Sequence, residues 1–253
     1  MKSSQYWKEH FSNNLKIERV DWNLQPEITQ KQKRSILKSL QVWQLGETSD
    51  GSHLIAASKK HALATSDPEF LEAVKLFIKE EQKHGENLGK YLDRINEPRI
   101  KENWGDSLFR KVRYYNTNME LWTLSVLVVE SAAQIFYQSL KDATQCKLLK
   151  QICSDILTDE AFHINFQFER MSLLVRDKSE TTKLIHYLIY RVFFLATITL
   201  IYVAHRRAFR SGGINFNRYY RKMNLKFNKT IKRVFRPKTS VFQSKLKWEQ
   251  IEF

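Results

Sequence analysis

Residues 67–95 read DPEFLEAVKLFIKEEQKHGENLGKYLDRI, and the reading of this stretch decides the fold. Asp67 is an N-cap residue, Pro68 stands at the first helical position and Glu69 in the first turn, so a helix opens here and ends before Pro98. Midway it carries Glu81-Gln82-Lys83-His84. Spacing i, i+3 puts a carboxylate and an imidazole on one helix face, where both can reach the same metal centre. With 18 Glu and 7 His in 253 residues, chance alone supplies about half such a match, so the motif needs structural context.

The context lies on either side. Residues 145–175 form a second long helical segment with a second motif, Glu160-Ala161-Phe162-His163. After Pro26, residues 28–63 read as a helix whose weak points are Gly46 and Gly51, and residues 119–143 read as a helix apolar nearly all round. The links between these four segments are short, long (residues 94–118) and short. That is the connectivity of an all-α four-helix bundle with one long crossover. Taking Thr65 and Thr144 as hairpin tips, Glu47, Glu81, Glu130 and Glu160 lie 18, 16, 14 and 16 residues from their turn. At 1.5 Å per residue all four fall within about 6 Å of one level. Glu130 sits in the apolar run LWTLSVLVVESAA, residues 121–133, where a bare carboxylate costs several kcal/mol unless it is neutralised, paired or metal-bound.

Composition excludes several alternatives. Seven Gly and four Pro argue against a turn-rich β fold, and Cys146 and Cys153 cannot build a four-thiolate site or, seven residues apart on one helix, pair with each other. The net charge of +15 is concentrated: residues 1–180 carry 26 Lys and Arg against 25 Asp and Glu, and residues 181–253 carry 16 against Glu249 and Glu252. The apolar run at residues 192–204 is too short to span a bilayer and reads as part of a fifth helix, residues 182–208, packed on the bundle. Three regions follow: an N-terminal extension (1–25), the bundle with its additional helix (26–208) and a basic, aromatic C-terminal tail (209–253). With no apolar leader at the N-terminus, a cytoplasmic location is expected, with peripheral membrane contact as a variant.

The ordered set Glu, Glu-x-x-His, Glu, Glu-x-x-His resembles the ligand set of the ferritin-like di-iron carboxylate superfamily over about residues 30–176. By that resemblance Glu47, Glu81 and His84 would hold one iron and Glu130, Glu160 and His163 the other, with Glu81 and Glu160 bridging. Manganese is the alternative metal. The string Glu80-Glu81-Gln82-Lys83-His84-Gly85 and the pair Asp159-Glu160 are similar to stretches of acyl-carrier-protein desaturases, which implies that Glu80 and Asp159 orient the histidine on the opposite helix. Residues 205–224, HRRAFRSGGINFNRYYRKMN, resemble a pattern of ferritin-like bacterial proteins to which no function attaches. His163 separates the chain from iron-storage ferritins, two cysteines separate it from rubrerythrins, and Leu88 stands where the small subunit of ribonucleotide reductase has its radical tyrosine.

The resemblance implies an oxygen-activating di-iron oxidoreductase that hydroxylates or desaturates an organic, lipid-like or carrier-bound substrate, fed by an external electron donor. Two other readings stay open: a metal-binding or oxidant-scavenging protein without organic substrate, and a tRNA-modifying hydroxylase. Gln134, one turn past Glu130, is expected at the oxygen pocket or in an ordinary interhelical hydrogen bond. Gly51 either opens room for a substrate or is a tolerated helix defect. The basic, aromatic tail is suited to an anionic membrane surface, an acidic carrier protein or RNA. His10, His53, His61, His186 and His205 have no spacing partners.

Overall fold

Capping residues set where the helices start. The computed structural model describes residues 1–103 and 118–235. Within them run α1 (Ser4–Asn14), α2 (Gln30–Glu47), α3 (Ser52–Thr65), α4 (Pro68–Arg94), α5 (Met119–Ala143), α6 (Lys147–Val175), α7 (Glu180–Ser211), α8 (Phe216–Lys229) and the single turn α9 (Ile231–Val234). Asp67 caps α4 through Phe70 N–H, and Asn118, Ser179 and Asn215 cap α5, α7 and α8 in the same manner. Thr29 and Gln32 form a reciprocal capping box at the start of α2.

The segment at residues 28–63 is two helices, not one. Gly51 has φ of +65°, a left-handed conformation that breaks the chain between α2 and α3. A Cβ there would also lie 2.5 Å from the Ile78 side chain, so glycine is required twice over. The break, rather than a tolerated defect inside a helix, is its role.

Helices α2, α4, α5 and α6 are the staves of the bundle. α5 packs most extensively on α6, while α4 is flanked by α1, α2 and α3. Along α4 and α6 a polar layer separates two apolar clusters. Leu88, Tyr91 and Leu92 join Leu149, Ile152 and Ile156 on one side of it. Phe70, Phe77 and Phe166 meet Trp7 and Phe11 of α1 on the other. Each fully buried Phe or Leu contributes roughly 1.5–3 kcal/mol, and this is what holds the charged layer out of water.

The outer helices extend further than composition indicates. α7 lies along α5 and α2, burying Tyr190, Phe194, Ile198 and Tyr202 at intervals of four. Within the region read as a tail, α8 packs on α5 and α7 through Tyr219, Met223 and Phe227. Residues 236–253, and residues 104–117 of the long connection, lie outside the described residues. Cys146 occupies the position just before α6 without a side-chain cap and Cys153 lies inside the helix, both buried and outside any disulfide.

Candidate metal centre

The six expected ligands converge. Glu81, Glu130, Glu160 and His163 each offer an atom such that all lie within 4.8 Å of one another, and Glu47, Glu81 and His84 do the same. Glu81 belongs to both groups, as a bridging ligand must. Glu160 belongs to the His163 group alone. Glu47, His84, Glu130, Glu160 and His163 are buried. Glu81 keeps 17% of its side chain exposed and is the acid at the open edge.

Two carboxylates fix the histidines across the bundle. His84 Nε2 on α4 meets Asp159 Oδ2 on α6 at 3.0 Å, and His163 Nε2 on α6 meets Glu80 Oε2 on α4 at 2.9 Å. Each carboxylate accepts the Nε2–H, so each ring turns Nδ1 toward the cluster. His84 Nδ1 has no hydrogen-bond partner. His163 Nδ1 comes within 2.7 Å of Glu81 Oε1 without hydrogen-bond geometry, and both oxygens of Glu160 are likewise buried and unpartnered. Buried acceptors left without donors are costly unless something positive satisfies them.

The electrostatics point the same way. Burial, followed by the neighbouring carboxylates, pushes Glu47 and Glu160 well above the ordinary carboxylate range. Burial also raises Glu130, while the adjoining Glu160 carboxyl and the charge of His163 act in the other direction. For His84, burial favours the neutral ring, but the Asp159 hydrogen bond and the charges of Glu81 and Glu47 outweigh it and lift the ring to about 9. His163 is raised well above its usual value by Glu81 and Glu80 despite its burial. Asp159 is held well below the carboxylate range by His84 and Asn14, although burial acts in the other direction. Four acids and two imidazoles packed this tightly share protons among themselves. A pair of divalent cations would replace those protons and balance four carboxylates charge for charge.

Several contributors have no spacing signal. Asn14, the last residue of α1, donates from Nδ2 to Glu80 Oε1 at 2.9 Å and to Asp159 Oδ1 at 2.8 Å, and so ties both histidine-orienting acids together. Arg19 adds hydrogen bonds from Nη1 to Asp155 at 2.7 Å and Asp159 at 3.0 Å. The Tyr137 hydroxyl donates to Glu47. Gly85 lets α4 approach the end of α2: a Cβ there would lie 2.7 Å from Thr48 Cγ2 and 3.1 Å from the Glu47 carbonyl carbon.

Gln134 takes the second of its two expected roles. Its Oε1 accepts from Lys226 of α8, and it is not among the residues lining the adjoining cavity. Burial lowers Lys226 to about 8, with Glu160 opposing. Of the remaining histidines, His186 Nδ1 pairs with Glu120 at 2.7 Å, and His205 is buried against Trp43 and Phe136. His10 lies tilted against Phe162 with ring centroids 4.2 Å apart, and His61 meets Phe70 edge-on.

A cavity of about 160 Å³ reaches the cluster on the side of Glu47, Glu81 and Glu130. Its wall is mainly apolar, with Trp43, Leu54, Phe77, Ile78, Trp122, Val126 and Val129, and Gly51 lies on its rim.

No family model matches the chain, and no curated protein matches it. Solved structures do. A point mutant of the R2-like ligand-binding oxidase with an anaerobically reconstituted Mn/Fe cofactor aligns with TM-score 0.66 at 16% identity over 91% of this chain and 92% of that one. Two others with the aerobically reconstituted Mn/Fe cofactor give 0.64 at 17% identity over 92% and 97%, and 0.62 at 16% identity over 92% and 93%. At such identities the likeness is one of fold: the chain has the ferritin-like helical bundle of these proteins along nearly its whole length.

Proposed function

We propose that the chain is a two-metal oxidase that activates oxygen to oxidise an apolar organic substrate seated in the cavity beside Glu47, Glu81 and Glu130. One observation carries this reading: six buried or nearly buried donors form two overlapping groups that share Glu81, and an apolar cavity meets them from one side. The structural neighbours support it, being named ligand-binding oxidases with an Mn/Fe cofactor.

Glu47, Glu81 and His84 would hold one cation and Glu81, Glu130, Glu160 and His163 the other, as iron pairs or as manganese with iron. Bound there, the two metals supply the redox capacity to reduce oxygen. The chain's own residues do the rest. Glu80 and Asp159 keep each Nε2 protonated, so that Nδ1 remains the donor nitrogen. The Tyr137 hydroxyl steadies Glu47, and the Phe77 ring, 4.8 Å from that of His163, excludes water from the buried side. Trp43, Ile78, Trp122 and Val126 line an apolar wall suited to an alkyl chain, which favours a lipid-like or carrier-bound substrate. Electrons come from an external donor.

The test is anaerobic loading with ferrous iron, alone or with manganese, followed by oxygen in the presence and absence of fatty-acyl compounds. Two cations per chain are expected, with an oxidised acyl product; Glu81→Ala, which removes the shared ligand, should lose both, and His163→Ala the one cation it helps to hold. Val129→Trp should retain both metals and lose the product. Oxygen uptake indifferent to every organic compound and coupled to peroxide turnover would replace this reading with oxidant scavenging.

A further inference from the structure

A helix on the surface of a soluble bundle ordinarily has one apolar stripe and one polar face. Helix α7 has two apolar faces. Its inner stripe packs on the bundle, while Leu184, Leu188, Ile189, Val192, Leu200 and Val203 on the other side are each more than half exposed. The outward stripe runs about 28 Å, at 1.5 Å per residue over residues 184–203. By length and composition α7 could cross a membrane, yet its inner face is committed to the protein. A helix in that position lies on an interface and does not span it.

The charge around the stripe identifies what covers it. Arg206, Arg207 and Arg210 are exposed and follow the stripe directly in sequence, past a kink of the helix at His205. Beside α7 runs α8, held through the ring contacts Phe194–Phe227 and Tyr202–Tyr219, with Arg218, Arg221, Lys222 and Lys229 exposed. No acid occurs in residues 181–248. A second copy meeting this face through a two-fold axis would set one strongly basic segment against another. An anionic lipid surface meets both features at once, apolar face to acyl boundary and arginines to headgroups.

We propose that the outer face of α7, with its flanking arginines and the basic helix α8, docks the protein on the surface of an anionic lipid bilayer. This inference does not depend on the metal chemistry. It would place the bundle against the compartment from which an apolar substrate could be drawn.

The test is co-sedimentation of the full chain with phosphatidylglycerol-rich vesicles and with pure phosphatidylcholine vesicles, alongside its mass in solution by sedimentation equilibrium. Binding to the anionic vesicles, weakened by salt and nearly absent on neutral ones, is expected. Arg206→Gln with Arg207→Gln and Arg210→Gln should lower the partition coefficient about a hundred-fold. Leu188→Gln with Val192→Gln and Val203→Gln should also abolish sedimentation while leaving helicity and melting temperature unchanged, since all three are exposed. Vesicle binding that survives the second triple variant overturns the proposal. So does a wild-type chain that ignores vesicles, whether it is a dimer whose partner covers the face or a monomer, or one that is retained by RNA instead.

Discussion

Replacing Asp159 by Asn should cost the protein one metal and leave the other. The carboxylate accepts from His84 at Oδ2 and from Asn14 and Arg19 at Oδ1. An amide of the same shape has one oxygen and one NH2, so either the histidine or the Asn14–Arg19 pair must face a donor with a donor. Burial works against the charged His84 ring, and Asp159, followed by Glu81 and Glu47, more than offsets it. Losing the Asp159 carboxylate weakens the hold on the ring's orientation and basicity. For a group that orients a metal-bound imidazole, the expected loss is about 10–100-fold in affinity. It falls on the cation held by Glu47, Glu81 and His84, because His163 is oriented by Glu80. Anaerobic equilibrium dialysis against ferrous iron should therefore turn biphasic, with one equivalent bound as before and the second weakened. Glu80→Gln should weaken the opposite cation. Unchanged binding in both variants, or the simultaneous loss of both metals in each, would refute the crossed arrangement.

Asn14→Ala should weaken both cations together, since its amide joins Glu80 to Asp159, and competition with a chelator would show a parallel loss at both sites. Gly85→Ala gains about 1 kcal/mol of helix propensity but drives a Cβ against the Glu47 backbone. A net loss of about 1–2 kcal/mol in thermal unfolding is expected, with a weaker cation at Glu47 and His84. Burial, aided by Lys38, lowers His205 to about 4 in the folded chain, whereas unfolded it titrates near 6.5. The unfolded state thus binds a proton that the folded state refuses, so stability falls by about 3 kcal/mol as pH drops from 6.5 toward 4. His205→Phe, still packed between Trp43 and Phe136, should flatten that part of the pH–stability curve measured by denaturant unfolding.

The residues of the carboxylate–histidine cluster are legible in the sequence because helix periodicity and depth are local quantities. Two motifs at i, i+3 and two acids at a matching distance from hairpin tips suffice to collect Glu47, Glu81, His84, Glu130, Glu160 and His163 into one layer. What supports them is not local. Asn14 and Arg19 reach Glu80 and Asp159 only because α1 folds back along α4, a contact with no spacing to read. Gly85 did leave a trace, a glycine inside a strong helix beside His84, and the close approach of the end of α2 is what it serves. The region after residue 209 is a different case. Counting charges and rings makes it a tail, whereas Tyr219, Met223 and Phe227 recur every four residues and bury one face of α8. Its Lys226 ends at Gln134, a side chain that takes no part in the cavity wall. Likewise, the left-handed turn at Gly51 divides what apolar periodicity reads as a single helix.

The most direct measurement is anomalous diffraction from crystals of the iron-loaded protein. Two peaks about 3.5–4 Å apart are predicted, one against Glu47 and His84, the other against Glu130, Glu160 and His163, with Glu81 reaching both. A single peak, or cations bound away from these six side chains, would contradict the account.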